Sequence, residues 1–347
     1  MNERVLASLS KKELSIPSGL LELTPAFTVI IYPHFLHVFH HAVGAADSST
    51  PIMFPLAILS LLATIMVPVT GIIFAWKFSS TASTRRLAYA SVLSPALYTL
   101  LGTTAYMLHS PIPDEWIWTL LWIGFSWLAL TKANLETSEI ENVPHRPRIT
   151  RWRTIHGIGA TIAVIFIFFH LTNHFFGLFG AHLHDQIRKA GEIVYQSTFG
   201  EPILVALFLF MAGSGLRLIW HWSAARQDFY RTFQLAAGAF LFVFLMSHMT
   251  AVFILARTYL DITPDWIWAT GGKAGIIHDP WNIRLLPYYL LSVFFALTHL
   301  ASGTRVVLLH QGTEPSFANR LWIISTVVSL AIAAIIIAAV TGVRVSI

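Results

Sequence analysis

The chain has 347 residues, 55% hydrophobic and only 11% charged, with a mean hydropathy of +0.66, a formal net charge of +5 and no cysteine. A soluble domain carries roughly 25% charge, so this is the composition of a polytopic, all-α membrane protein, and its scattered Lys and Arg do not form the stripe that nucleic-acid binding needs. The lack of Cys excludes disulfides, thiolate-held iron–sulfur clusters and covalent haem attachment.

Residues 1–25 mix acids with bases, have no apolar run of their own, and read as a cytoplasmic segment, not a cleaved signal. Beyond them a 19-residue hydropathy window predicts nine spans, at about 26–43, 52–76, 87–108, 115–131, 154–177, 199–222, 233–256, 286–310 and 320–343. The first and fourth are at the short end of what a bilayer requires. Basic residues alternate between loops: Lys77, Arg85 and Arg86 follow the second span, and none stands between the first and second. The positive-inside rule then puts the N-terminus in the cytoplasm, with a bacterial inner membrane as the expected location. The long 257–285 loop fits less well, because it is expected outside yet carries Arg257, Lys273 and Arg284.

Repetition organises the spans. FLHVFHHAVG (35–44) recurs as FFHLTNHFFG (168–177), a shift of 133 positions that carries His37 and His41 onto His170 and His174. PIPDEWIW (111–118) echoes TPDWIW (263–268). The expected organisation is a degenerate transmembrane half at 26–132, a charged linker at 133–153, a second half at 154–312 and an additional helix within 313–347. Trp116, Trp118, Trp122, Trp266 and Trp268 fall at predicted span ends, where indoles favour the headgroup region.

Titratable groups are costly in hydrocarbon and are the first candidates for function. His170, His174, His248 and His299 all lie inside predicted spans. His170 is 16 residues beyond Thr154 and His248 is 15 beyond Phe233, so at 1.5 Å per residue both sit about 23 Å from the cytoplasmic end of parallel helices. Within the second half, MAGSGLR (211–217) and HLASGTR (299–305) share one frame, with Met211 where the other copy has His299. Gly303, one turn from His299, leaves room for a flat macrocycle, and Arg305 and Arg217 fall near the cytoplasmic end, within reach of a haem propionate or a lipid headgroup.

The frame His, three residues, Gly, any residue, Arg resembles the haem-binding helix of succinate dehydrogenase and fumarate reductase membrane anchors. YRTFQLAAGAFLFVFLMSHM (230–249) and HGIGATIAVIFIFFHLTNH (156–174) are similar to other histidine-bearing helices of the five-helix, two-haem type, and the likeness covers about 150–312. The resemblance implies a b-type haem held by His170 and His248, with His174 beside it, and an inner site at His299 whose partner would be Met211. Two outcomes stand for that inner site: a Met thioether on iron, or a site without haem where His299 meets a quinone or a backbone carbonyl. It also implies a membrane subunit that passes electrons between other subunits of a respiratory complex and quinone, with any flavin or iron–sulfur catalysis on other chains. A haem- or quinone-sensing module, a scaffold and a repeat-built transporter are the alternative readings. A membrane histidine can also simply bridge two helices, at about 0.6 kcal/mol. HLHD (182–185) reads as an outer loop with the spacing of a surface metal site.

Overall fold

The computed structural model describes residues 18–46, 52–136 and 147–346. Most of the 1–25 segment, and the 137–146 part of the 133–153 linker, lie outside these. The described residues are helical, without strands.

Helices α1 (Thr24–Ala46), α2 (Met53–Ile73, continuing as a π-helical turn Phe74–Phe78), α3 (Ala82–Val92), α4 (Ser94–Met107) and α5 (Asp114–Ala133) pack as one group. The third predicted span is broken at Leu93, because Pro95 lacks the donor that would continue the ladder. A capping box between Thr81 and Thr84 starts α3. Helices α2 and α3 cross closely at Gly71, where a methyl group would overlap Ser91 and stand 2.6 Å from the Ala88 carbonyl oxygen. That oxygen belongs to a helix backbone and cannot step aside. Gly71→Ala is therefore expected to cost about 1–3 kcal/mol as an overpacked contact, read as a lower Tm in detergent.

The second group contains α6 (Pro147–Phe176), α7 (Ala181–Tyr195), α8 (Gly200–Trp222), α9 (Phe229–Met249, continuing π-helical over Thr250–Tyr259), α10 (Leu285–His310) and α11 (Pro315–Val340). Their contacts run α6 to α8, α8 to α9, α9 to α10, α10 to α11 and α11 back to α6, so five helices close a ring. The 313–347 segment is a full member of it. The α6–α9 and α8–α10 pairs are not among the principal helix–helix contacts. Helix α9 also packs on α3 and α4, which ties the two groups together around Phe233, Phe240, Tyr89 and Phe295.

Among the described residues six helical segments are long and apolar enough to cross a membrane: α2 and the five helices of the ring, counting their π-helical or 3-10 continuations. The chain is thus an integral membrane protein by the length and hydropathy of its helices. Only 11% of the apolar stretch of α6 and of α8 is buried, against 50% of the stretch that includes α10, which puts α6 and α8 at the periphery.

Two features assign the tryptophans and the loop charges differently from the sequence reading. Trp118, Trp122 and Trp266 are fully buried, with Trp118 Nε1 donating to Val29 O at 2.7 Å; Trp116 stays exposed. Arg284 and Arg257 are not free loop charges, since Arg284 pairs with Asp114 at 2.6 Å and Arg257 with Glu201 at 2.6 Å. Paired within the chain, they say little about which side of the membrane the loop occupies.

Candidate functional site

The ring brings His170 and His248 face to face. Their ring centroids are 6.0 Å apart with planes at 70°, although α6 and α9 are not a principal packing pair. Each imidazole is steadied by the phenyl ring one turn earlier. Phe166 lies nearly parallel to His170 at 5.4 Å and Phe244 nearly parallel to His248 at 5.5 Å. The same i, i+4 device on two helices presents two imidazoles at one level. Immediately beyond His248 the helix changes to π geometry over Thr250–Tyr259, a distortion common at functional sites.

The separation can be tested against a metal. Two imidazoles bonded to opposite faces of one iron at about 2 Å each, with each centroid ~1 Å behind its nitrogen, stand about 6 Å apart. The observed spacing fits that geometry, and it also fits an ordinary edge-to-face ring contact. Among the described residues no group of three or more His, Cys, Asp or Glu is placed to hold a bare metal ion. A haem iron asks for only two protein ligands.

His174 adds a third ring. It lies 4.5 Å from His170 between centroids, with the two Nε2 atoms 3.2 Å apart. A hydrogen bond to His174 and a bond to a metal would compete for the same His170 nitrogen. His174 Nδ1 is buried and has no hydrogen-bond partner among the described residues, an orphaned polar atom of the kind that marks a ligand site.

Beyond it, HLHD (182–185) is not a loop but the first turn of α7, whose apolar and polar faces are well separated. His182 is exposed, whereas His184 is buried against Trp266 at 4.3 Å. Asn173 Nδ2 donates to His184 Nε2 at 3.1 Å, and His184 Nδ1 faces Asp185 Oδ1 at 3.4 Å. The two imidazoles therefore do not converge on a surface metal. Burial holds the His184 imidazole below the usual histidine range, against a smaller opposing pull from Asp185. A depressed folded-state pKa means the unfolded chain takes up the proton first. The stability this residue contributes is complete above about 6.5 and declines as pH falls below that value. Thermal unfolding from pH 8 to pH 5 is expected to show this decline, and His184→Gln to flatten it.

The inner level is built differently. His299 Nδ1 donates to the Gln234 backbone carbonyl at 3.2 Å, and its ring lies against Gly238 of α9, where a methyl would approach Cε1 to 2.9 Å. Met211 instead turns its sulfur toward Gly159 of α6. The two side chains thus turn to different helices, Met211 to α6 and His299 to α9. The backbone-carbonyl arrangement is thus the one His299 adopts.

Gly303 has open space where a side chain would stand, Arg217 is exposed beside Trp152, and Arg305 is held by Asn319 at 2.8 Å and over the Tyr230 ring at 3.8 Å. His156, which depth in the membrane does not single out, shares hydrogen-bond distance with Ser214 Oγ at 2.8 Å. Its position was legible: it precedes His170 by fourteen residues, close to four turns at 3.6 residues per turn, so both lie toward one face.

The N-terminal histidines make no matching pair. His37 contacts Glu115 at 3.4 Å and His40 Nε2 donates to His278 O at 3.0 Å. Comparisons with family models, with curated proteins and with solved structures find no match for this chain.

Proposed function

We propose that this chain is the membrane-embedded b-type cytochrome subunit of a redox complex, with one haem between His170 and His248. The observation that carries the reading is the 6.0 Å approach of two imidazoles from different helices, each stacked on its own Phe. When bound, the haem would supply a one-electron carrier. The chain's own part is to hold two neutral nitrogens at one level in an apolar ring and to exclude water from between them. His174 would sit beside the iron-bound ring, its hydrogen bond to His170 given up on ligation. Electrons would pass between partner subunits and quinone. The finer topology belongs to this reading too: nine crossings, two related halves and a cytoplasmic arginine-bearing end in a bacterial inner membrane, supported by the basic residues gathered at one end of the ring.

A second reading, a sensing or scaffolding subunit, is favoured by the N-terminal group, where His37 meets Glu115 and His40 bonds the His278 carbonyl. Reduced-minus-oxidised spectra of the purified protein separate the two classes. A b-type difference band re-oxidised rapidly by added quinone supports electron transfer; a protein without the band overturns the cytochrome reading.

A further inference from the structure

At the arginine-bearing end a cavity of about 260 Å³ opens between α9 and α10, lined by Asp228, Tyr230, Arg231, Gln234, Ser302 and Arg305. Arg231 donates to Gln234 Oε1 at 2.8 Å and Arg305 to Asn319 Oδ1 at 2.8 Å, and neither guanidinium has a carboxylate partner within ion-pair distance among the described residues. Arg153 of α6 and Arg305 both act on Arg231 as like charges, with Asp228 the one acid that opposes them. Asp228 is exposed and already accepts the Arg231 backbone N–H at the start of α9. The cavity itself is lined by two guanidiniums and one carboxylate, an excess of one positive charge, with Arg153 adding to the repulsion from outside the lining. In a low-dielectric setting that repulsion is costly unless an anion bridges it.

A second cavity, of about 230 Å³, meets the first at Arg305 and runs between α10 and α11, lined by Ala301, Ala318, Leu321 and Trp322. The two are joined by Ser302, whose hydroxyl accepts from Trp322 Nε1 at 2.9 Å. Past this second cavity α11 exposes Ile324, Val327 and Val328. A polar, positively charged chamber thus continues into a groove whose walls mix apolar residues with Thr304 and Ser325, and then onto the apolar outer surface of α11.

We infer that these paired cavities bind an anionic phospholipid, its phosphate between Arg231 and Arg305 and one acyl chain along the α10–α11 groove. Guanidiniums suit phosphate through paired, charge-assisted hydrogen bonds, and basic pockets between spanning helices are a recognised lipid-headgroup design. The inference is independent of the haem reading and stands or falls without it.

The test is thermal unfolding of the purified full chain in detergent, titrated separately with dioleoyl phosphatidate, dioleoyl phosphatidylcholine and inorganic phosphate. Phosphatidate is expected to raise Tm saturably, while phosphatidylcholine with the same tails and phosphate at equal concentration give no comparable shift. The double variant R231Q/R305Q should weaken the phosphatidate response by about tenfold or more, as lost charge-assisted hydrogen bonds do, and R231K/R305K should restore part of it. Native mass spectrometry of lipid retained through purification reads the same site without depending on variant stability. A full shift from inorganic phosphate alone would overturn the lipid assignment. An equal response to phosphatidylcholine, or an undiminished one in R231Q/R305Q, would overturn the site itself.

Discussion

Purified His248→Ala protein is expected to lose the b-type difference spectrum, and His170→Ala to lose it as well. Each substitution removes one of two nitrogens that meet across the ring, and an iron gripped from one side by an apolar pocket has little else to retain it. His299→Ala and Met211→Leu should keep the band, because those side chains serve α9 and α6 packing separately. His174→Ala is the discriminating control. It should retain haem while altering its potential, since it removes the neighbour of the ligand and not the ligand. Full haem content in His248→Ala would refute the assignment, and loss in His174→Ala with retention in His170→Ala would move the ligand by one turn. Melting curves of each variant show whether a missing band reflects lost ligation or a lost fold.

Asp114→Ala should destabilise the protein more than Gly71→Ala or His184→Gln. Asp114 and Arg284 form a buried ion pair at 2.6 Å that joins α5 to the start of α10. Arg284 is further fixed by donating to Trp281 O at 2.9 Å and by lying over the Tyr98 and Trp281 rings at 4.5 and 4.6 Å. Tyr98 in turn donates to Asp114 Oδ1 at 3.2 Å. Removing the carboxylate leaves a guanidinium that is only 5% exposed without its counter-charge, a loss of about 3–5 kcal/mol. The double replacement Asp114→Leu with Arg284→Met should recover most of that, because an apolar pair avoids the desolvation cost. Gly102→Ala tests the same locus sterically: its methyl would overlap the Arg284 guanidinium, which the surrounding partners prevent from moving away, at about 1–3 kcal/mol. Thermal or denaturant unfolding in detergent reads all three. An Asp114→Ala protein as stable as its parent would show that the pair contributes nothing net.

Six of the nine predicted spans were legible because bilayer thickness imposes a length and a polarity that a hydropathy window detects directly; the stretches at 26–43, 87–108 and 115–131 do not qualify among the described residues. All six helical segments that qualify for crossing coincide with predicted spans. The level shared by His170 and His248 was legible too, since rise per residue converts sequence distance into depth. What spacing does not encode is direction. Met211 occupies the frame position of His299, yet which neighbour a side chain faces depends on which helices adjoin, and α8 and α10 are not a principal packing pair. The same limit explains HLHD, whose residues suggest a solvated loop but whose His184 is drawn inward by Trp266 and Asn173. Arg284 and Arg257 looked like topology signals only because their acids, Asp114 and Glu201, are 170 and 56 residues away in the chain.

The closed ring carries an implication for biogenesis. Since α11 packs on both α10 and α6, which otherwise touch each other only sparsely, and is the last of the five to leave the ribosome, the flank between α6 and α10 stays thinly covered until synthesis of that helix is finished. Under the proposed cytochrome reading, a haem entering the space between α6 and α9 would have a lateral doorway during that interval, which the final helix narrows. Loading would then be timed by translation, and a chain stopped before residue 315 should exchange such a group far faster than the finished protein.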